Sequence, residues 1–174
     1  MLFRSRAVLG YARRIKTNAD GAARYAVNVL GDEDFANAAT NSARIGAEYA
    51  ELAEALSERA TAAAHRADLA VRTANRVVTA YDRAEAAADR AANIAAESHA
   101  LRTKEYAEQA KAEFKIASVA KDKCETDLVN AADTDPDASH AALSNAAVAA
   151  DLAESAALRA VGAARNAAQV PALF

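Results

Sequence analysis

Between Gly46 and Gly162 the chain contains no glycine, and Pro136 is the sole proline in that stretch. A segment with so few places to turn is confined to long helices. Alanine fills it, because a methyl side chain loses no rotamer entropy on entering a helix. Alanine accounts for 54 of the 174 residues. The length is ample for one domain with a core. A core made of alanines, however, buries only about one methyl per residue, ~0.8 kcal/mol each. Five scattered glycines, two prolines and one cysteine exclude collagen-like, Gly/Pro-rich and disulfide-framework classes.

The breaks are few. Asn18, Asp20 and Gly21 predict an interruption after the first basic segment, and Gly31 predicts the end of a helix over about 21–30. Asp32, Glu33 and Asp34 then suit a helix N-terminus, where the macrodipole favours acids. Asp133 to Asp137 predicts a turn, with Asp135 as N-cap and Pro136 at the first helical position of a helix over 136–168. Pro171 follows that helix.

Packing registers follow the same route. Ile45, Tyr49, Leu52 and Leu56 are spaced 4-3-4. The step to Ala60 repeats a four, a stutter, and alternating threes and fours resume through Ala63, Ala67, Ala70, Ala74, Val77, Tyr81, Ala84, Ala88, Ala91 and Ala95. A second register holds Ala107, Ala110, Phe114, Ala117, Lys121, Cys124, Leu128 and Ala131. The two do not join across Glu97 to Thr103, which predicts a bend or turn there; the alternative is one straight helix with a register slip. The last helix carries Ala142, Ala146, Ala149, Ala153, Ala156, Ala160, Ala163 and Ala167. Alanine seams let helices approach near the lower end of the usual 8–10 Å separation. The fold class expected is all-α: an elongated antiparallel bundle or coiled coil with alanine-rich seams. It divides into a basic segment over 1–19, a bundle over 20–168 and an apolar tail over 169–174.

Charge is unevenly spread. Residues 1–30 hold six bases against one acid, and the rest holds 15 bases against 23 acids. The acid-free start MLFRSRAVLGYARRIKTNA has the composition of a mitochondrial presequence; it reads equally as a basic arm that docks on an acidic surface. Arg4, Arg6, Arg13, Arg14 and Lys16, with Leu173 and Phe174 of the tail, are the candidate partner-binding residues. Residues 1–24 also suit peripheral contact with anionic lipid. No window of 18 apolar residues exists, so no membrane-spanning segment is expected.

Chemistry-bearing patterns are sparse. His65, His99 and His140 fall in no H-E-x-x-H pattern, and no glutamate stands three residues before any of them. Cys124 sits on a seam, which predicts a buried, inert thiol. No glycine-rich phosphate loop is present, and outside residues 1–24 the body is acidic, which argues against nucleic acid. No catalytic residue, cofactor or metal is expected. Tyr49, Tyr81, Tyr106 and Phe114 read as large fillers of an alanine core, or as anchors for a partner.

The segment AEYAELAEALSERATAAAHRADLAVRTA, within helices over about 43–95, resembles in texture the stalk helices of rotary ATP synthases and similar organellar scaffolds. It also looks like the alanine-rich surface-coat proteins of trypanosomes, which are long helical bundles. The first resemblance implies a non-catalytic accessory subunit of a multi-protein mitochondrial complex, with other protein subunits as partners. The second implies a cell-surface coat or receptor-type protein whose signal peptide was trimmed.

Overall fold

The computed structural model describes residues 2–25, 27–28, 33–98, 100–132 and 135–170, and the backbone alone of 2–9, 12 and 136. Four helices and no strand occur among them: α1 (Leu2–Tyr25), α2 (Glu33–Glu97), α3 (Leu101–Asn130) and α4 (Pro136–Gln169). The fold is all-α, as composition demands. Packing divides the chain into two compact units, Met1–His65 and Arg66–Phe174.

The second unit is a three-helix bundle of residues 66–97 of α2 with α3 and α4. Its core is almost entirely small. Ala84, Ala91, Ala110, Ala117, Ala146, Ala153, Ala156 and Ala160 are completely buried, and Val77, Thr103, Cys124 and Ser139 are the largest fully buried side chains. Every alanine expected on the α4 seam is buried, as are Val77, Ala84, Ala88 and Ala91 of the α2 seam. Ala63 and Ala67, expected on the same stripe, are exposed. Larger groups close the sides. The Tyr81 and Phe114 rings meet at 5.3 Å between centroids, tilted by 56°, and the Lys121 ammonium sits 5.4 Å from the Tyr81 centroid.

The expected interruption across Glu97 to Thr103 is a turn between α2 and α3. The Ala100 N–H donates to Ser98 Oγ, and the Thr103 N–H donates to the Ala100 carbonyl. The expected cap of α4 is present too: Asp135 Oδ1 accepts from the Asp137 N–H at 3.0 Å, with Pro136 beginning the helix. Ser139 Oγ donates to the Ala131 carbonyl at 2.7 Å, fastening the end of α3 to the first turns of α4.

In the first unit α1 packs on residues 33–65 of α2. The expected break at Asn18, Asp20 and Gly21 does not occur, because α1 runs through all three. A glycine inside a helix costs about 1 kcal/mol relative to alanine, which tertiary packing overrides. The expected helix end at Gly31 and the start at Asp32 lie outside the described residues, as does Pro171.

Candidate interaction site

The first unit cannot hide its apolar groups. Among its described residues only Ala36, Ala43, Gly46 and Ala53 are buried. They form a stripe of small residues along α2, and α1 closes down on it. A Cβ placed at Gly46 would stand 3.1 Å from Ile15 Cγ2 and 3.2 Å from the Lys16 backbone nitrogen. A Cβ there would be tighter than ordinary contact, so α1 would have to give way by a few tenths of an ångström. Farther along α2, Arg13 reaches across to Glu54, with Nη2 3.3 Å from Oε1.

Close approach on one side leaves the large side chains outside. Tyr11 and Ile15 of α1, with Ile45, Tyr49, Leu52 and Leu56 of α2, line an open groove of about 670 Å³. Tyr49 is 65 % exposed, Leu52 58 % and Leu56 61 %. Among the described residues of the lining, Ser42 is the one polar residue besides the two tyrosines. A continuous apolar face of this kind is the signature of a packing surface. Tyr49, Leu52 and Leu56 were expected as seam residues of a core. Their register is that of a seam, but no helix among the described residues of this unit covers it.

None of the described partner-binding candidates is among the residues that line this groove. Arg14 stands at its edge, its guanidinium 5.0 Å from the centroid of the Tyr11 ring. Arg13 spans to Glu54, and Lys16 is exposed beside the Gly46 contact. Arg4 and Arg6 belong to α1, but their side chains lie outside the described residues, and so do Leu173 and Phe174. The sequence signal that marks the groove is side-chain size. Ile45, Tyr49, Leu52 and Leu56 make a seam of large residues in a chain whose other seams are mostly alanine.

The polar groups of the second unit hold its helices together. Arg76 of α2 grips α4, with Nε 2.8 Å from Glu154 Oε1 and Nη2 2.5 Å from Asp151 Oδ1. That hydrogen bonding holds the Glu154 carboxyl below its ordinary range and raises the Arg76 guanidinium. Arg159 of α4 donates to Glu113 of α3 at 2.9 Å, which raises the arginine further. Asp68 pairs with Arg72 as its spacing predicts.

A depressed carboxyl pKa ties stability to pH with a definite sign. The contribution of Glu154 is complete above the unfolded carboxylate value, about 4.3. It is lost as pH falls from there through the lower folded value. The variant Glu154→Gln is therefore expected to lose stability at neutral pH. Its urea midpoint should also change less than wild type on acidification from pH 5 toward pH 3.

Cys124 is completely buried, and burial, followed by the nearby Asp127 charge, pushes its thiol up from the ordinary value. An un-ionised, covered thiol is a poor nucleophile. His65 and His140 are exposed, and His99 lies outside the described residues. Among the described residues no cluster of three His, Cys, Asp or Glu side chains is placed to hold a metal. No helix among them is long and apolar enough to cross a membrane. No protein-family model matches this chain, and no curated protein or solved structure does either.

Proposed function

We propose that this chain is a non-catalytic structural protein that builds a multi-protein assembly by helix–helix packing, as an accessory subunit of a mitochondrial complex. The observation that carries the reading is the open apolar groove of the first unit, with Tyr49, Leu52 and Leu56 each more than half exposed. A helical hairpin gains most of its stability from burying its apolar face, and this face is left for a helical partner to cover. The alanine seams support the same role. They give a close-packed second unit whose charged exterior carries paired side chains such as Asp68–Arg72 and Lys121–Glu125. The organellar part of the reading rests on the acid-free, arginine-rich start of α1.

The test compares wild type with a chain carrying Leu52→Glu and Leu56→Glu, each expressed in the source cells and extracted from the mitochondrial fraction at low salt. Gel filtration of the wild type is expected to place it far above its own 18.1 kDa. The double variant is expected to elute near its own mass, because two carboxylates cannot be desolvated in an apolar helix seam. Wild type eluting alone near 18.1 kDa, or absent from mitochondria, would overturn the reading.

A further inference from the structure

The groove lies between a helix of basic net charge and one of acidic net charge. Across α1, Leu2–Tyr25, six bases stand against one acid, a net +5; across residues 33–65 of α2, six acids stand against two bases, a net −4. A surface that carries both signs side by side, divided by an apolar strip, is complementary to itself. We infer that the occupant of the groove is the groove of a second copy of this chain, the two hairpins closing face to face into a four-helix bundle. This rests on the reading of the groove as an assembly surface, and it names what fills it.

Two hairpins can meet face to face about a two-fold axis in two ways. With the axis across the helices, α1 lies on α1 of the partner, and the two +5 helices repel. With the axis along the helices, α1 lies on α2 of the partner. Basic and acidic helices then alternate round the bundle, and every adjacent pair is antiparallel. Charge selects the second arrangement.

That choice has a residue-level consequence. A two-fold axis along the helices leaves each residue at its own height. The contacts of Ile15 and Lys16 with Gly46, and of Arg13 with Glu54, put Arg14 level with residues 46–54 of α2. Arg14 is on the groove edge against Tyr11. Glu48 follows Ile45 by three and precedes Leu52 by four, so it flanks the apolar strip on the side away from Gly46. Within its own chain it pairs with Arg44. In the dimer Arg14 of each copy meets Glu48 of the other, a contact made twice by symmetry. The apolar strip supplies the affinity, and the Arg14–Glu48 pairs set which helix faces which.

Sedimentation equilibrium of the purified full chain across the micromolar range tests this. The expected mass is twice 18.1 kDa. Leu52→Glu with Leu56→Glu is expected to give monomer with unchanged helical circular dichroism, since both side chains are exposed in the hairpin. Leu158→Glu, on an exposed residue of the second unit, is expected to leave the dimer intact. Arg14→Glu alone is expected to weaken dimerisation about ten-fold, through two rim pairs lost at once. Adding Glu48→Arg to the same chain is expected to restore it. A monomer at every concentration would overturn the inference. If the double leucine variant still lost the large native assembly, the assembly reading would stand with a different helical occupant. If native size were unchanged as well, both would fail. A dimer strengthened by Arg14→Glu would overturn the alternating arrangement, because only α1 against α1 gains from that change.

Discussion

Replacing Ala153 with leucine is expected to destabilise the 66–174 bundle by about 1–3 kcal/mol, lowering its midpoint of thermal unfolding by roughly 5–20 °C. Ala153 is completely buried on the α4 seam, and its register neighbours Ala146, Ala149, Ala156 and Ala160 are buried alanines too. Helices packed over methyl groups stand close, and no flexible side chain lies on that seam to give way. Three added carbons must therefore separate α4 from the rest of the bundle, and that breaks contacts along its length. The usual intuition about leucine, that more apolar volume in a core is stabilising, reverses here. Ala141→Leu makes the same chemical change on the exposed side of α4, and should shift stability by no more than ~0.5 kcal/mol. Thermal melts of the two variants, followed by circular dichroism, provide the comparison.

The second large effect is expected at Gly46. Gly46→Leu improves local helix propensity by somewhat under 1 kcal/mol. It also drives a branched side chain into Ile15 and the Lys16 backbone, which already stand 3.1 and 3.2 Å from the position of a Cβ. A methyl group could rotate away, but a backbone nitrogen in a helix cannot, so α1 must leave the stripe formed by Ala36, Ala43 and Ala53. The expected result is loss of protection from hydrogen exchange for the amides of Tyr11 to Thr17, with those of α4 unaffected. A protected α1 in this variant would show that the hairpin is held by something other than its close approach at Gly46.

Much of this architecture is legible because alanine, glycine and proline act locally. The cap at Asp135 and the buried stripe from Ala142 to Ala167 follow from rules that span four residues or fewer, and the turn between Glu97 and Thr103 from the mismatch of the two registers that such rules build on either side of it. The misread position is instructive for the same reason. Asn18, Asp20 and Gly21 weaken a helix locally, yet α1 continues through them because it packs on α2, and tertiary contact outweighs a cost of about 1 kcal/mol at one glycine. Arg76 with Glu154, and Arg159 with Glu113, join residues 78 and 46 positions apart, beyond anything helical spacing can reveal.

The groove shows both sides of this limit. The 4-3-4 spacing of Ile45, Tyr49, Leu52 and Leu56 announces a packing seam, and their size sets it apart from the alanine seams. Spacing does not say whether the covering helix belongs to the same chain. Gly46, whose role is to let α1 approach beside that seam rather than over it, is the residue that decides it, and its effect emerges only once the two helices are placed together.

A seam that is covered in the working state protects its own backbone, so the decisive measurement is hydrogen exchange at residues 45–56. The amides would be followed in the chain kept dilute and in the chain isolated in its large native assembly. Slower exchange is expected from Ile45 to Leu56 in the assembly, with amides of α4 from Ala142 to Ala167 unchanged. Equal exchange at 45–56 in the two states, or added protection confined to the second unit, would contradict it.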